Sequence, residues 1–156
     1  LDTLKYLKND TDVWFEITNL IIPDSNDNDE ELRKMSRWIM ENLGPDIPVH
    51  FSAFHPDFKM MDTPPTPPET LTKAREIAIQ EGLNYAYTGN VHDPLGDTTF
   101  CPNCQTPLIE RDWYELGSYT INDGKCSTCE HPIPGHFLNT CGTWGRQRMP
   151  VQLDSF

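Results

Sequence analysis

"VWFEITNLII", residues 13–22, decides the fold. The run is β-branched, aromatic and aliphatic, broken only by Glu16, Thr18 and Asn19. Strict polar–apolar alternation marks a strand with one wet face, whereas a nearly continuous apolar run marks a strand covered on both. The stretch therefore predicts a strand buried on both faces of a parallel α/β sheet. It is too apolar for a comfortable sheet edge, so a further strand is expected to pair with it.

Upstream, Leu1, Leu4 and Leu7 have helical spacing and read as the end of a helix. There is no Met at residue 1, and we expect Leu1 to be a cut point inside a longer protein. Downstream, Asp27, Asn28 or Asp29 can cap a helix in which Leu32, Met35, Ile39 and Leu43 share one face. Gly44 and Pro45 stop it. "IPVHFSAF", 47–54, is the second strand. A second helix follows, with Thr66 as the expected cap, Pro67 as its first residue and Glu69 closing a capping box. Leu71, Ala74, Ile77 and Ala78 face inward, and Gly82 ends it. "NYAYTG", 84–89, is the third strand. The order is βαβαβ, with right-handed crossovers expected.

Parallel α/β sheets bind ligands at the C-terminal ends of their strands. Those ends carry Asp24 to Asp27, then His55 and Asp57, then Asn90, His92 and Asp93. Helix capping accounts for most of the acidic residues after the first strand. His55 has no capping task and is the ligand-contact candidate, against a plain loop histidine. His50 lies within its strand and receives no role. His92 and Asp93 read as turn residues before Pro94.

The strongest chemical signal is Cys101-Pro-Asn-Cys104 and Cys126-Ser-Thr-Cys129, with 21 residues between the pairs. Each pair can form a knuckle whose backbone N–H groups point at the thiolate sulfurs. Two knuckles give the closed tetrathiolate shell that a structural zinc ion favours, and iron can use the same knuckles. A redox dithiol is the third option. The intervening PLIE, WYEL and SYTI patches predict short strands, with a turn at Asn122-Asp123-Gly124. Four protein ligands leave no open position, so this metal is expected to clip the fold rather than catalyse. Cys141 is left over as a free thiol.

Charge narrows the function further. There are 24 acidic residues against 12 basic, net −12. That argues against nucleic acid or an anionic membrane as the main partner. No stretch approaches the roughly 18 apolar residues of a membrane span, and no signal-peptide region opens the chain. The expected location is cytoplasmic.

The wording of "WFEITNLIIPDSNDNDEELRKMSRWI", "VHFSAFHPDFKM", "PPTPPETLTKAREIAIQEGLNYAYTGNV" and "CPNCQTPLIERD…GKCSTCEHPIPG" resembles a known family. It is similar to the C-terminal half of radical SAM proteins like pyruvate formate-lyase-activating enzyme, specifically the AmmeMemoRadiSam-system members that end in a four-cysteine ribbon. The resemblance runs from residue 1 to about 137. It implies a partial (β/α) barrel over 1–95, a zinc ribbon over 96–137 and a divergent tail over 138–156. In such a parent, a [4Fe–4S] cluster held by Cys-x-x-x-Cys-x-x-Cys cleaves S-adenosylmethionine reductively to a 5′-deoxyadenosyl radical. This sequence lacks that triplet, and its own cysteines have the wrong spacing to replace it. The chain alone is then expected to be inactive. His55 in "SAFHP" matches a histidine that helps bind S-adenosylmethionine. At the family's cofactor-contacting Arg stands Thr18 or Asn19, and Asp24 replaces the Gly after Pro23.

Three functions remain as expectations. The first is an oxidoreductase fragment whose partners are the rest of the barrel and a protein substrate. The second is a non-catalytic zinc-ribbon scaffold that binds protein. The third is a hydrolase using His50, His55, Asp57, His92 and Asp93 around an open metal site. The lone fragment is expected to self-associate through its first strand.

Overall fold

A computed structural model describes residues 1–138 and 140. Helix α1 (Asp2–Asp10) leads into β1 (Ile17–Ile21), α2 (Asp29–Leu43), β2 (Val49–Ala53), α3 (Pro68–Gln80) and β3 (Ala86–Gly89). The three strands form one parallel sheet in the order β1-β2-β3. Ile17 stands opposite Val49, and Val49 opposite Ala86. The βαβαβ order is as the sequence implied. The described strands close no barrel; the sheet is open.

One face of this sheet carries the core. Ile21, Val49, Phe51 and Ala86 pack with Leu32, Ile39 and Leu43 of α2 and with Leu71, Ala74, Ile77 and Ala78 of α3. Each helix presents these residues at three- and four-residue spacing, which places them on one stripe. Asn28 caps α2 by accepting a hydrogen bond from the backbone N–H of Glu31 at 2.9 Å. Gly44 ends it at φ +90°, a backbone that L side chains avoid. Glu81 ties the two helices by pairing with Arg33 at 3.1 Å and Arg37 at 2.6 Å.

The opposite face differs from expectation. β1 is not covered on both sides, since Thr18 and Leu20 are exposed, Leu20 by 45%. The reason is topological: α2 and α3 both pack on the same side of the sheet. β1 is also shorter than the apolar run, and Val13 and Trp14 lie exposed before it. Among the described residues β1 has no strand on its outer edge.

Thr66 is a second departure. The N-cap of α3 is Pro67, the helix begins at Pro68, and no side chain caps it. The Thr66 hydroxyl instead accepts from the Phe54 N–H at 2.9 Å and donates to the Ile21 carbonyl at 2.5 Å. Two strand ends compete for that hydroxyl and win it from the helix.

The single turn α4 (Pro94–Asp97) then leads to β4 (Thr99–Phe100), β5 (Pro107–Asp112) and β6 (Glu115–Tyr119), an antiparallel sheet, and to the small hairpin β7 (Ile121–Asn122) and β8 (Lys125–Cys126). Asp93 caps α4 by accepting from the Gly96 N–H at 3.0 Å. The WYEL patch is not a strand throughout. Trp113, at φ +56°, and Tyr114 form the turn between β5 and β6, because Asp112 already pairs with Glu115. The turn at Asp123 and Gly124, φ +48° and +72°, is where the sequence put it. Cys101, Leu108, Ile109, Ile121, Cys126 and Ile133 form the core of this module together with Tyr85. Tyr85 and Tyr87 belong to the open face of the parallel sheet, so the module packs against that face at β3.

Candidate metal centre

The two cysteine pairs fold alike. In the first, the Cys101 N–H donates to the Thr106 carbonyl and the Gln105 N–H donates back to the Cys101 carbonyl, both at 2.9 Å. In the second, the Cys126 N–H donates to His131 and the Glu130 N–H donates to Cys126, again at 2.9 Å. Gln105 and Glu130 both take a left-handed backbone, φ +59° and +58°. Each tight turn brings its two sulfurs to one side.

The four sulfurs converge. Cys101 Sγ lies 3.6 Å from Cys129 Sγ, Cys104 Sγ lies 3.7 Å from Cys126 Sγ, and all four are within 4.8 Å of one another. None is in a disulfide. A tetrahedron with zinc–sulfur bonds of about 2.3 Å has edges of about 3.8 Å, so the cluster is close to the size a zinc ion needs. Cys101 and Cys126 are buried, Cys104 and Cys129 half-buried.

The electrostatics match a thiolate site. Hydrogen bonds from the Thr106 side chain and backbone pull the Cys104 thiol down to about 6. Burial pushes the Cys101 thiol up to about 12. Burial also opposes ionisation at Cys126, but the backbone N–H groups of Cys129 and Thr128 outweigh it and lower that thiol. Protons thus leave these thiols unequally, and a divalent cation at the centre would favour all four thiolates.

The other candidates are scattered. His55 is exposed past the end of β2 and makes no hydrogen bond among the described residues. Asn19 lies on the helix side of β1, where its amide nitrogen contacts Met35 Sδ and its oxygen accepts from Asn26 at 3.4 Å. Asp57 bonds the N–H of Phe58, and His92 pairs with Asp112 at 3.3 Å. Among the described residues, His50, His55, Asp57, His92 and Asp93 form no metal-binding group. Cys141 lies outside the described residues.

Sequence reasoning missed one constellation. His50, given no role, meets Glu16 at 2.6 Å on the open face and stacks on Tyr87 with ring centroids 5.0 Å apart. Tyr87 meets the hydroxyl of Thr99 at 2.9 Å, and Arg111 donates to the same hydroxyl at 2.8 Å. These groups line a cleft of about 430 Å³ between the sheet and the ribbon, near the strands' N-terminal ends. Period-two spacing puts Glu16, His50 and Tyr87 on one face, but nothing local pairs that face with Arg111.

Comparison with known proteins adds one relative. The chain is 44% identical over 135 residues to an uncharacterized protein of the archaeon Methanocaldococcus jannaschii. The match covers 85% of this chain and 40% of the relative, so the chain spans less than half the length of the protein it resembles. No family model matches, and no solved structure matches. No helix among the described residues is long and apolar enough to cross a membrane.

Proposed function

We propose that Cys101, Cys104, Cys126 and Cys129 hold one structural zinc ion, and that this clip fastens a ribbon, residues 96–137, to the open face of the parallel sheet. The observation that carries this reading is the convergence of the four sulfurs within 4.8 Å. The shell is filled by protein, so the ion's task is to fold about forty residues whose own core is small. The experiment is elemental analysis of the purified chain, with one zinc per chain expected and none after Cys101→Ser. Iron in place of zinc, or no metal, would refute it.

The larger protein is proposed to be a radical SAM enzyme of the activating-enzyme kind. The sequence resemblance supports it. The strand order, with helices on one face and the other face open, is what the C-terminal part of a partial (β/α) barrel would present, here over residues 1–95. In that setting His55, past the end of β2, would contact S-adenosylmethionine; of Thr18 and Asn19, which stand at the family's arginine, Asn19 faces the helices rather than the open side. The cluster and its chemistry would come from the rest of the protein. The test is the coding sequence upstream of Leu1. A Cys-x-x-x-Cys-x-x-Cys loop after a strand supports the reading, and its absence removes it.

A second reading, a docking module without catalysis, draws on the loop after β2. Phe58 and Met61 are exposed there by 82% and 68%. Apolar residues so displayed suit a protein partner. Retention of a partner by the wild-type chain and its loss on Phe58→Ser would favour this role.

A further inference from the structure

The cleft between sheet and ribbon holds a guanidinium that no carboxylate reaches at ion-pair distance among the described residues. It belongs to Arg111, which is half-buried. One of its terminal nitrogens donates to the Asp97 carbonyl at 3.0 Å and to Thr99 at 2.8 Å. Both acceptors are neutral. The other terminal nitrogen and Nε make no hydrogen bond among the described residues. In a chain with twice as many acids as bases, such a guanidinium is unusual. Its planar fork suits a carboxylate or a phosphate.

The surroundings favour a ligand over a purely structural role. Arg111 sits over the ring of Tyr87 at 5.8 Å, a ring that His50 also stacks on. Trp14 lines the same cleft and offers flat apolar surface. The hydroxyl of Tyr85, another lining residue, is buried with no hydrogen-bond partner. Burial holds its proton on, so it is a standing donor that lacks an acceptor. Two carboxylates also line the cleft, both beyond ion-pair distance of Arg111: Glu16, engaged with His50 and Trp14 at 2.6 and 3.1 Å, and Asp97, whose carboxyl burial holds above its ordinary value.

We infer that this cleft binds a small anion carrying an aromatic ring, an aryl phosphate or an aryl carboxylate. Arg111 takes the anionic group, and Trp14 takes the ring. The volume, about 430 Å³, is that of a small-molecule site. One wall comes from the parallel sheet and the other from the ribbon. The inference therefore relies on the clip being formed, and zinc content is measured before any titration.

The test titrates phenyl phosphate and benzoate, separately, into the full chain of known zinc content. Nitrogen-15 NMR follows the Trp14 indole and the amides of residues 85–88 and 109–111. Saturable shifts are expected with one probe, and which probe binds assigns phosphate or carboxylate. Arg111→Gln should weaken binding about tenfold or more, and Arg111→Lys should weaken it less. No saturation with either probe below about 20 mM would overturn the inference, as would Arg111→Gln binding as the unaltered chain does. Should Arg111→Gln not fold, Glu16→Gln decides: removing a repelling carboxylate must tighten binding, and unchanged or weaker binding overturns the inference. A chain without zinc that still binds the probe would count against the metal reading alone.

Discussion

The side-chain hydroxyl of Thr66 donates to the carbonyl of Ile21 at 2.5 Å, across 45 positions of chain. The same oxygen accepts from the Phe54 N–H, and the Thr66 N–H donates to the Phe54 carbonyl at 3.0 Å. One buried residue thereby closes the C-terminal ends of β1 and β2. Thr66→Val keeps the shape and removes the hydroxyl, leaving the Phe54 N–H and the Ile21 carbonyl only their long direct bond to each other, 3.3 Å. We expect a loss of about 1 kcal/mol in urea unfolding, and much less for Thr66→Ser. Equal stability of the valine variant would mean that the direct bond tightens to replace both hydroxyl contacts.

Removing the metal should separate the two halves of the structure. With Cys101→Ser or a chelator, amide exchange protection is expected to fall first across β4 to β8, residues 99–126, and to persist in β1 to β3. Tyr85 and Tyr87 should become accessible as the ribbon leaves them. Uniform loss of protection in both sheets would show instead that the ribbon is an integral wall of the core.

Acid should weaken the pairing of Glu16, just before β1, with His50 of β2. The hydrogen bond from His50, chiefly, holds the Glu16 carboxyl below its ordinary value of 4.5, against the opposing effect of burial. A depressed folded-state value means stability that is complete above the unfolded value and is lost as pH falls through the folded one. Unfolding free energy should therefore decline below about pH 4.5, and Glu16→Gln should flatten that decline. Denaturant titrations at a series of acidic pH values check it, and an identical acid slope in the variant would count against the pair.

Gly96 has no room for a side chain. A Cβ there would run into the Thr88 hydroxyl and the Asp93 carboxylate, the two groups that hold α4 to β3. Gly96→Ala should cost about 1–3 kcal/mol, as overpacked sites do, read as a lower denaturation midpoint. An unshifted midpoint would mean that Asp93 swings away at little cost.

Local signals carried much of this structure. The polar run Asp27 to Asp29, any of which could cap, marked the start of α2, Asp123-Gly124 marked a hairpin, and the cysteine spacing foretold the convergence of four sulfurs. Each depends on a few consecutive residues. Relations between distant segments were not legible. The apolar run at 13–22 could not reveal that both helices lie on one side of it, leaving Leu20 exposed. Thr66 obeys the spacing of a cap, yet distant backbone groups claim its hydroxyl. Trp113 and Tyr114 are strand-formers by type, but the pairing of Asp112 with Glu115 leaves them the turn. The cleft at Arg111 exists only because the ribbon folds back over His50 and Tyr87, and no local pattern encodes that return.

The spacing of contacts along the chain also sets a timetable for folding. The knuckle sulfurs meet across 22 and 28 positions, whereas Glu16, just before β1, and His50 of β2 meet across 34, and Thr66 and Ile21 across 45. Shorter closures cost less entropy and form sooner. The ribbon, once supplied with its ion, would be finished while the three parallel strands are still assembling. Its apolar side would then wait as a ready platform for Tyr85 and Tyr87. Metal supply during synthesis would thus govern how long the sheet's open face stays bare, and with it the window in which newly made chains can stick to one another.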